Sequence, residues 1–537
     1  MLRRASTYNE LRTGFRWSIP ARYNIGTDVC DRHVSGNPLA LIYLSEGAGA
    51  RRFGFDDVRR WSNRFANALA ALGLHRGDRI GVLLPQAPET AVAHLTGFRS
   101  GLVTVPLFSL FGPEALAFRL RNSGARAVVT DARGAEKIDG IRSDLPDLQH
   151  VFTIDGPGPG TLSFHDVCAK ASDDFTPVDT SAEDPAIIIY TSGTTGDPKG
   201  ALHAHRVLLG HLPGVELPQD FFPQPGDRFW TPADWAWIGG LFDVLFPAWH
   251  HGVPVVAHRA RKFDPEAAFR LMVEQEVRNV FLPPTAMKLM RQARNAAYPG
   301  LSLRSCGSGG ESLGAEMLDW GRSVLRVTIN EFYGQTECNL VASSCASLFP
   351  VKAGSIGRPV PGHDVRVVDD DGRDVPVGQV GHLGIRRPDP VMFLGYWNNE
   401  AATADKFAGD MLLTGDLGRQ DDDGYLWFIG RNDDVITSGG YRIGPGEIED
   451  CLLRHPAVAL AAVVGVPDPI RTELVKAVIV LKEGYERSDE LAAEIQTFVK
   501  TRLAAHEYPR IVSFVDELPM TATGKIIRRA LKTNEPR

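Results

Sequence analysis

The densest run of reactive residue types is Tyr190-Thr191-Ser192-Gly193-Thr194-Thr195-Gly196-Asp197-Pro198-Lys199-Gly200. Glycines let backbone N–H groups approach phosphate oxygens, while the hydroxyls and the Lys199 ammonium add further donors. The run follows a buried apolar strand at residues 187–189 and is expected to lead into an apolar helical stretch. Binding of a polyphosphate is the chemistry this suits. A Walker loop needs Gly-x-x-x-x-Gly-Lys-Ser/Thr. Counted from Gly193, Pro198 stands where the second glycine should be and Gly200 replaces the magnesium-binding hydroxyl. A P-loop nucleotidase is therefore disfavoured.

Further segments follow in order. Gly309-Gly310-Glu311-Ser312 comes first, then Glu331-Phe332-Tyr333-Gly334-Gln335-Thr336-Glu337 and Thr414-Gly415-Asp416. After these come Gly430-Arg431-Asn432-Asp433-Asp434, Ser438-Gly439-Gly440-Tyr441-Arg442 and Thr523-Gly524-Lys525. Together with the first loop they resemble the adenylate-forming superfamily of acyl-CoA synthetases, peptide-synthetase adenylation domains and luciferases. The chain looks most like the branch of medium-chain acyl-CoA and acetyl-CoA synthetases. No single segment carries the resemblance; their common order over most of the chain does.

The resemblance implies an ATP-dependent ligase acting in two steps. A carboxylate attacks the α-phosphate of ATP to give an acyl-adenylate and pyrophosphate, and coenzyme A then displaces AMP. The first step brings two anions together, so it calls for positioning and charge neutralisation. By resemblance, Thr191, Ser192, Gly193, Thr194, Thr195 and Lys199 hold phosphates. Gly310, Glu311, Ser312, Glu331, Phe332, Tyr333, Gly334 and Gln335 surround the adenine, with Tyr333 stacking on it. Glu337 is the Mg²⁺ ligand and Thr336 lies near the α-phosphate. Asp416 grips the ribose hydroxyls beside Arg431. Lys525 is the adenylation lysine, Asp433 the hinge of a mobile small domain, and Arg442, Gly439 and Gly440 form its thioester-forming face. The context of Lys525 resembles that of lysines switched by acetylation, which implies an acetyltransferase and a deacetylase as partners. The resemblance also admits a homodimer.

Trp230-Thr231-Pro232-Ala233-Asp234-Trp235-Ala236-Trp237-Ile238-Gly239-Gly240 resembles the wall of the acyl pocket and thiol channel. Matched by motif offset, Trp237, Ile238, Gly239, Gly309 and Gly334 face the acid. Acetate-specific members carry tryptophan at the position of Gly334. Three glycines are therefore expected to leave the pocket open to a short-to-medium or branched fatty acid. An aryl acid such as benzoate stays open, as does an enzyme that loads a carrier protein. No carrier domain is expected, since Arg537 follows Lys525 closely. Retention of Glu337, Asp416 and Lys525 argues against a non-catalytic nucleotide sensor. A luciferase-like oxygenase would share every motif.

These residues need rigid elements to hold them. Val58, Trp61, Phe65, Leu69 and Leu72 recur at helical spacing and stop at Gly73, while residues 79–84 read as a buried strand. Asp264-Pro265 opens another helix as N-cap and first residue. Short apolar strands are expected at 186–189, 253–256, 280–282 and 327–329. The pattern is an α/β body. From about 354 to 430, Gly and Asp turns suggest a small β-barrel. The expected domains are 1–432, adenylate-forming, and 433–537, a small α+β domain with strands at 460–464, 475–481 and 511–514 and a helix over 489–505.

The chain has 537 residues and a formal net charge of −7, with 58 Lys and Arg against 65 Asp and Glu. Nothing in that balance supports a nucleic-acid partner. Six scattered cysteines without a Cys-x-x-Cys pair fit a reducing compartment. No apolar run reaches the ~20 residues needed to span a membrane. The expected location is the cytoplasm, with the mitochondrial matrix as alternative because Arg3, Arg4, Arg12 and Arg16 make the N-terminus basic. His203, His205, His250, His251 and His258 read as structural, without neighbouring acids, and Arg528, Arg529 and Lys532 as a solvated face. Around Ser308, the nucleophile frame Gly-x-Ser-x-Gly is missing.

Overall fold

The structure, a computed structural model, describes all residues except 46, 48, 192–197, 261–262, 294–297, 311–312, 432–433, 439–440, 470, 504–507, 521–525 and 533–537. The chain forms two compact units. One comprises Met1–Asp364 and Arg386–Asp410, the other Val365–Ile385 and Met411–Arg537.

Two sheets build the first unit. The larger runs Arg358–Pro359, Asn339–Ser343, Ile329–Gln335, Ser305–Gly309, Asn279–Phe281, Phe229–Trp230, Val255–Arg259, Leu39–Ser45 and Arg51–Gly54 in spatial order. Its middle pairs are parallel, and the two end pairs on one side and the last pair on the other are antiparallel. The second sheet runs Gly395–Tyr396, Lys199–Ala204, Pro185–Thr191, Val103–Pro106, Arg79–Leu83, Ala125–Thr130, His150–Thr153 and Leu162–Ser163. Its central strands are apolar on both faces and buried, as parallel strands covered by helices must be.

The covering helices follow local signals. Phe55–Ala71 buries Val58, Phe65 and Leu69, and Gly73 adopts φ +82° just beyond its end. Asp264 caps Pro265–Glu274, its carboxylate accepting from the Ala267 N–H at 2.9 Å. Some elements differ from the sequence expectation. The element after the glycine-rich loop is the strand Lys199–Ala204, paired antiparallel with Pro185–Thr191, and the helix Val207–Glu216 comes only afterwards. The strand expected at 327–329 begins at Ile329, because Arg326 turns the chain through φ +60°.

In the second unit, Val365–Val368, Gly381–Arg386 as far as Ile385, Met411–Gln420 and Leu426–Arg431 belong to one sheet. A further sheet orders Tyr441–Ile443, Ile436–Ser438, Thr472–Leu481 and Val458–Asp468, with Ile511–Phe514 parallel to Thr472–Leu481. The helices Pro445–Leu453 and Asp489–Lys500 share its core through Ile448, Leu452, Ile495 and Val499. The second of these helices stops at Lys500, short of the expected 505, with Thr501 as its C-cap.

Candidate functional site

In the first unit the site is built on two hairpins. The glycine-rich loop bridges Pro185–Thr191 and Lys199–Ala204, with Thr191 opposite Lys199 and Tyr190 opposite Gly200. Ser192, Gly193, Thr194 and Thr195 lie outside the described residues. The loop's stem is well fixed. The Tyr190 hydroxyl donates to Asn122 Oδ1 at 2.7 Å. A side chain at 200 would press on Ile188 at 2.7 Å and on the Tyr190 ring at 3.2 Å, so glycine is what lets the strands meet there.

The second hairpin joins Ile329–Gln335 to Asn339–Ser343, and Thr336, Glu337 and Cys338 form its turn. Cys338 N–H donates to the Gln335 carbonyl, and Asn339 takes φ +50°, a conformation asparagine tolerates. Glu337 is buried, at 7% exposure. Its Oε1 accepts from the Tyr396 hydroxyl at 2.5 Å, and its carbonyl accepts from Phe393 N–H at 2.9 Å.

Tyr396 connects the hairpins. Gly395–Tyr396 pairs antiparallel with Leu202 and Ala201 on the loop's outgoing strand. The Lys199 ammonium lies 5.3 Å from the Tyr396 ring centroid, within cation–π reach. One phenol therefore touches a cation at the loop stem and the buried carboxylate of the turn. Sequence reasoning missed Tyr396. Its only signal is a lone Gly-Tyr pair far from every motif.

Along Ile329–Gln335 the side chains alternate. The Glu331 carboxylate receives Leu313 N–H at 3.4 Å, while the Phe332 ring packs where side chains at Gly307 and Gly309 would go. Tyr333 is buried at 8% exposure. Gly310 takes φ +99°, and a Cβ there would lie 3.6 Å from the Trp237 ring. Glu311 and Ser312 lie outside the described residues.

The wall segment is more ordered than a run of aromatics suggests. Trp230 lies in a strand and Trp235 is fully buried, while Trp237 caps the short helix Ile238–Gly240. Gln86 Nε2 donates to the carbonyls of Thr231 and Ala233 at 2.9 and 2.6 Å. The Asp234 carboxylate accepts from Ala236 N–H at 2.7 Å, and burial pushes its pKa up to about 6. The expectation that missing side chains at Gly239, Gly309 and Gly334 open the pocket needs correction. A Cβ on Gly334 would lie 1.6 Å from the Asn339 carbonyl oxygen, and one on Gly309 2.3 Å from the Phe332 ring. A Cβ on Gly239 would lie 2.9 Å from Phe281 and 3.2 Å from Asp243 Oδ2. These glycines permit close packing rather than empty space.

Beyond Gly240 the chain makes a π-helical turn, Leu241–Leu245. Such turns recur at functional sites. Asp243 on this turn pairs with His211, with Nε2 and Oδ1 2.7 Å apart. Burial pushes the Asp243 carboxyl above the usual range, and the His211 hydrogen bond opposes that shift.

The second unit holds Asp416 and Arg431 opposite each other on adjacent strands, with Arg431 Nε 3.2 Å from Asp416 Oδ1. Asp416 is buried and Arg431 largely exposed. The Thr414 hydroxyl donates to the Leu383 carbonyl and accepts from Asp416 N–H, fixing the turn before the acid. Arg442 lies on a strand opposite Thr437, its side chain outside the description. Asp433, Gly439, Gly440 and Lys525 lie outside the described residues. The solvated face expected around Arg528 also needs correction, since Arg528 grips both oxygens of Glu449 at 2.9 and 2.8 Å.

Two of the histidines read as structural do have acids beside them. His250 Nδ1 lies 2.5 Å from Asp28 and His251 Nε2 3.0 Å from Glu216. No group of three metal-ligating side chains forms among the described residues. Burial pushes His203 down to about 3 and His205 to about 4. All six cysteines are buried free thiols. No helix among the described residues is long and apolar enough to cross a membrane.

Comparison with known proteins bears on this arrangement. The family model described as AMP-binding enzyme matches residues 30–397, and that of the AMP-binding enzyme C-terminal domain matches 447–525. The chain is 34% identical to the mitochondrial acyl-coenzyme A synthetase ACSM3 of Mus musculus, over 99% of this chain and 93% of that one. It is 35% identical to acetyl-coenzyme A synthetase of Bacillus subtilis, over 96% and 91%. The crystal structure of Brucella canis acyl-CoA synthetase superposes with a TM-score of 0.75 at 34% identity, covering 98% of both chains.

Proposed function

Since the chain belongs to the AMP-binding enzyme family, we propose how its residues divide the work of an ATP-dependent, AMP-forming acyl-CoA ligase. The observation that carries the reading is Tyr396, which contacts both Lys199 at the loop stem and the buried Glu337. A polyphosphate at that loop would lie near a carboxylate able to hold its counter-ion.

In the first half-reaction a carboxylate oxygen of the acid attacks the α-phosphorus of ATP. The bond to the bridging oxygen breaks and pyrophosphate leaves. The chain's part is to hold and neutralise charge. Thr191, Ser192, Gly193, Thr194, Thr195 and Lys199 hold the phosphates. Thr336 offers a hydroxyl to the α-phosphate, and the Lys525 ammonium steadies the attacking carboxylate against it. Tyr333 stacks on the adenine beside Gly310, Glu311 and Ser312, and Asp416 with Arg431 takes the ribose hydroxyls. Glu337 fits Mg²⁺, because its second oxygen takes no hydrogen bond among the described residues and hard cations prefer carboxylate oxygen. When bound, the ion supplies positive charge against the phosphates.

In the second half-reaction the coenzyme A thiolate attacks the acyl carbonyl and AMP departs with the electron pair of the broken mixed-anhydride bond. Arg442 meets the phosphate, and Gly439 and Gly440 leave room for the pantetheine arm. Asp433 is the hinge between the two arrangements. Acetylation of Lys525 would remove its ammonium and stop the first half-reaction alone. A cytoplasmic location draws support from the bacterial relative.

The acid is short to medium in length. Trp237, Ile238, Phe281 and Phe332 supply apolar surface at the wall, and each buried methylene is worth ~0.8 kcal/mol. Lys525→Ala tests the division of labour. Acid-dependent pyrophosphate exchange should fall by roughly 10²–10³-fold, as for loss of a charge-stabilising group. Preformed acyl-adenylate plus coenzyme A should still give thioester. An equal loss in both half-reactions would refute the assignment.

A further inference from the structure

The His211–Asp243 pair lies beside the wall segment and takes no part in the chemistry above. His211 sits on the buried helix Val207–Glu216, at 1% exposure, and the Asp243 side chain is 8% exposed. One carboxylate oxygen of Asp243 is used by His211 Nε2. The other, Oδ2, has no hydrogen-bond partner among the described residues, and His211 Nδ1 is likewise buried and unpartnered. A carboxylate oxygen that takes no donor from the chain, in a side chain still 8% exposed, can accept one from a molecule outside it.

The position of the unused oxygen says where that donor would come from. Asp243 lies one turn beyond Ile238 and Gly239, the segment taken above as the acid's wall. A Cβ on Gly239 would stand 3.2 Å from Oδ2 and 2.9 Å from the Phe281 ring. Glycine at 239 thus spares this oxygen a side-chain contact, and Phe281 and Phe242 make the surroundings otherwise apolar. An unsubstituted fatty acid offers nothing to such an acceptor.

We infer that Asp243, oriented by His211, selects a carboxylic acid that carries a hydroxyl or amine hydrogen-bond donor on the part of the molecule distant from its carboxylate. Asp243 is the specificity-determining group and His211 its positioning residue. This rests on the ligase reading and on the wall assigned to Ile238 and Gly239.

The test uses the full chain with ATP, Mg²⁺ and coenzyme A, measuring AMP release. Straight-chain acids from butyrate to octanoate are each compared with their ω-hydroxy and ω-amino forms, and benzoate with its hydroxy and amino derivatives. At some length a donor-bearing acid should exceed its unsubstituted partner in kcat/KM by about tenfold or more, since a site built to hydrogen-bond a donor rejects the analogue lacking it. The hydroxy and amino arms identify which donor is used. Asp243→Leu should reverse that ratio while the KM for ATP stays put, and His211→Leu should shrink it. If unsubstituted acids match or beat their partners at every length, or if the ratio survives Asp243→Leu, the inference is overturned. The wild-type panel decides the matter even if the variants fold poorly. Should no acid release AMP, the ligase reading itself fails and takes this inference with it.

Discussion

Glu337 and Asp416 are both carboxylates buried where two antiparallel strands meet, and they are held in contrasting ways. Glu337, in the first unit, rests in a hairpin turn against a neutral phenol. Asp416, in the second, stands opposite the Arg431 guanidinium. A phenol leaves a carboxylate's charge uncompensated, which suits the cation proposed for Glu337. A guanidinium neutralises the charge, which suits the neutral ribose hydroxyls proposed for Asp416. Neighbouring groups, rather than burial alone, set what each acid can bind.

Removing charge without changing shape gives the largest break. Glu337→Gln can still accept from Tyr396 but no longer offers a charged ligand to a cation. Acid-dependent pyrophosphate exchange should drop by roughly 10²–10³-fold, with the Mg²⁺ dependence displaced to higher concentration. If activity stays within tenfold and the Mg²⁺ titration is unmoved, the contrast fails on this side.

Asp416→Asn should act on nucleotide affinity instead. Loss of a charged acceptor costs about 1.5–3 kcal/mol, which corresponds to a rise in the KM for ATP of tenfold or more. The Mg²⁺ titration should not change. A variant that loses kcat at constant KM would show that Asp416 and Glu337 do the same work.

Gly334→Ala examines how firmly the Glu337 hairpin is pinned. The added methyl would run into the Asn339 carbonyl, only 1.6 Å away. Overpacking of this kind costs about 1–3 kcal/mol, read as a fall in Tm or in denaturant midpoint. An unchanged midpoint would mean the strands can separate there at little cost.

The smallest effect on activity is expected from Tyr396→Phe. It removes the hydrogen bond donated to the Glu337 carboxylate, worth about 1.5–3 kcal/mol for a charged acceptor, but keeps the ring beneath Lys199 and leaves the carboxylate's charge for the cation. Activity should fall severalfold, most of all at low Mg²⁺. A loss as large as that of Glu337→Gln would give the phenol a direct part in the chemistry.

Much of this was legible in the sequence because the signals are local. The helix Phe55–Ala71 announces itself by apolar spacing and a terminal glycine, and Asp264-Pro265 by capping chemistry. The motif carrying Thr336 and Glu337 needs no tertiary knowledge to be seen. What stayed hidden depends on partners far along the chain. Tyr396 reaches Glu337 across 59 residues, and His211 reaches Asp243 across 32. Gly334 reads as spare room in the sequence, whereas in the fold the Asn339 carbonyl packs against it. The strand Lys199–Ala204 reads as a helix start from its apolar residues, and only pairing with Pro185–Thr191 makes it a strand.

The central claim is that this chain joins an acid to coenzyme A through an adenylate. The most direct measurement follows the nucleotide and thioester products by chromatography, with and without coenzyme A, for the acids named above. Acid-dependent pyrophosphate exchange should occur without coenzyme A, and AMP and acyl-CoA should accumulate one for one when it is added. Formation of ADP and phosphate in place of AMP and pyrophosphate, or AMP release that ignores the acid, would contradict the account.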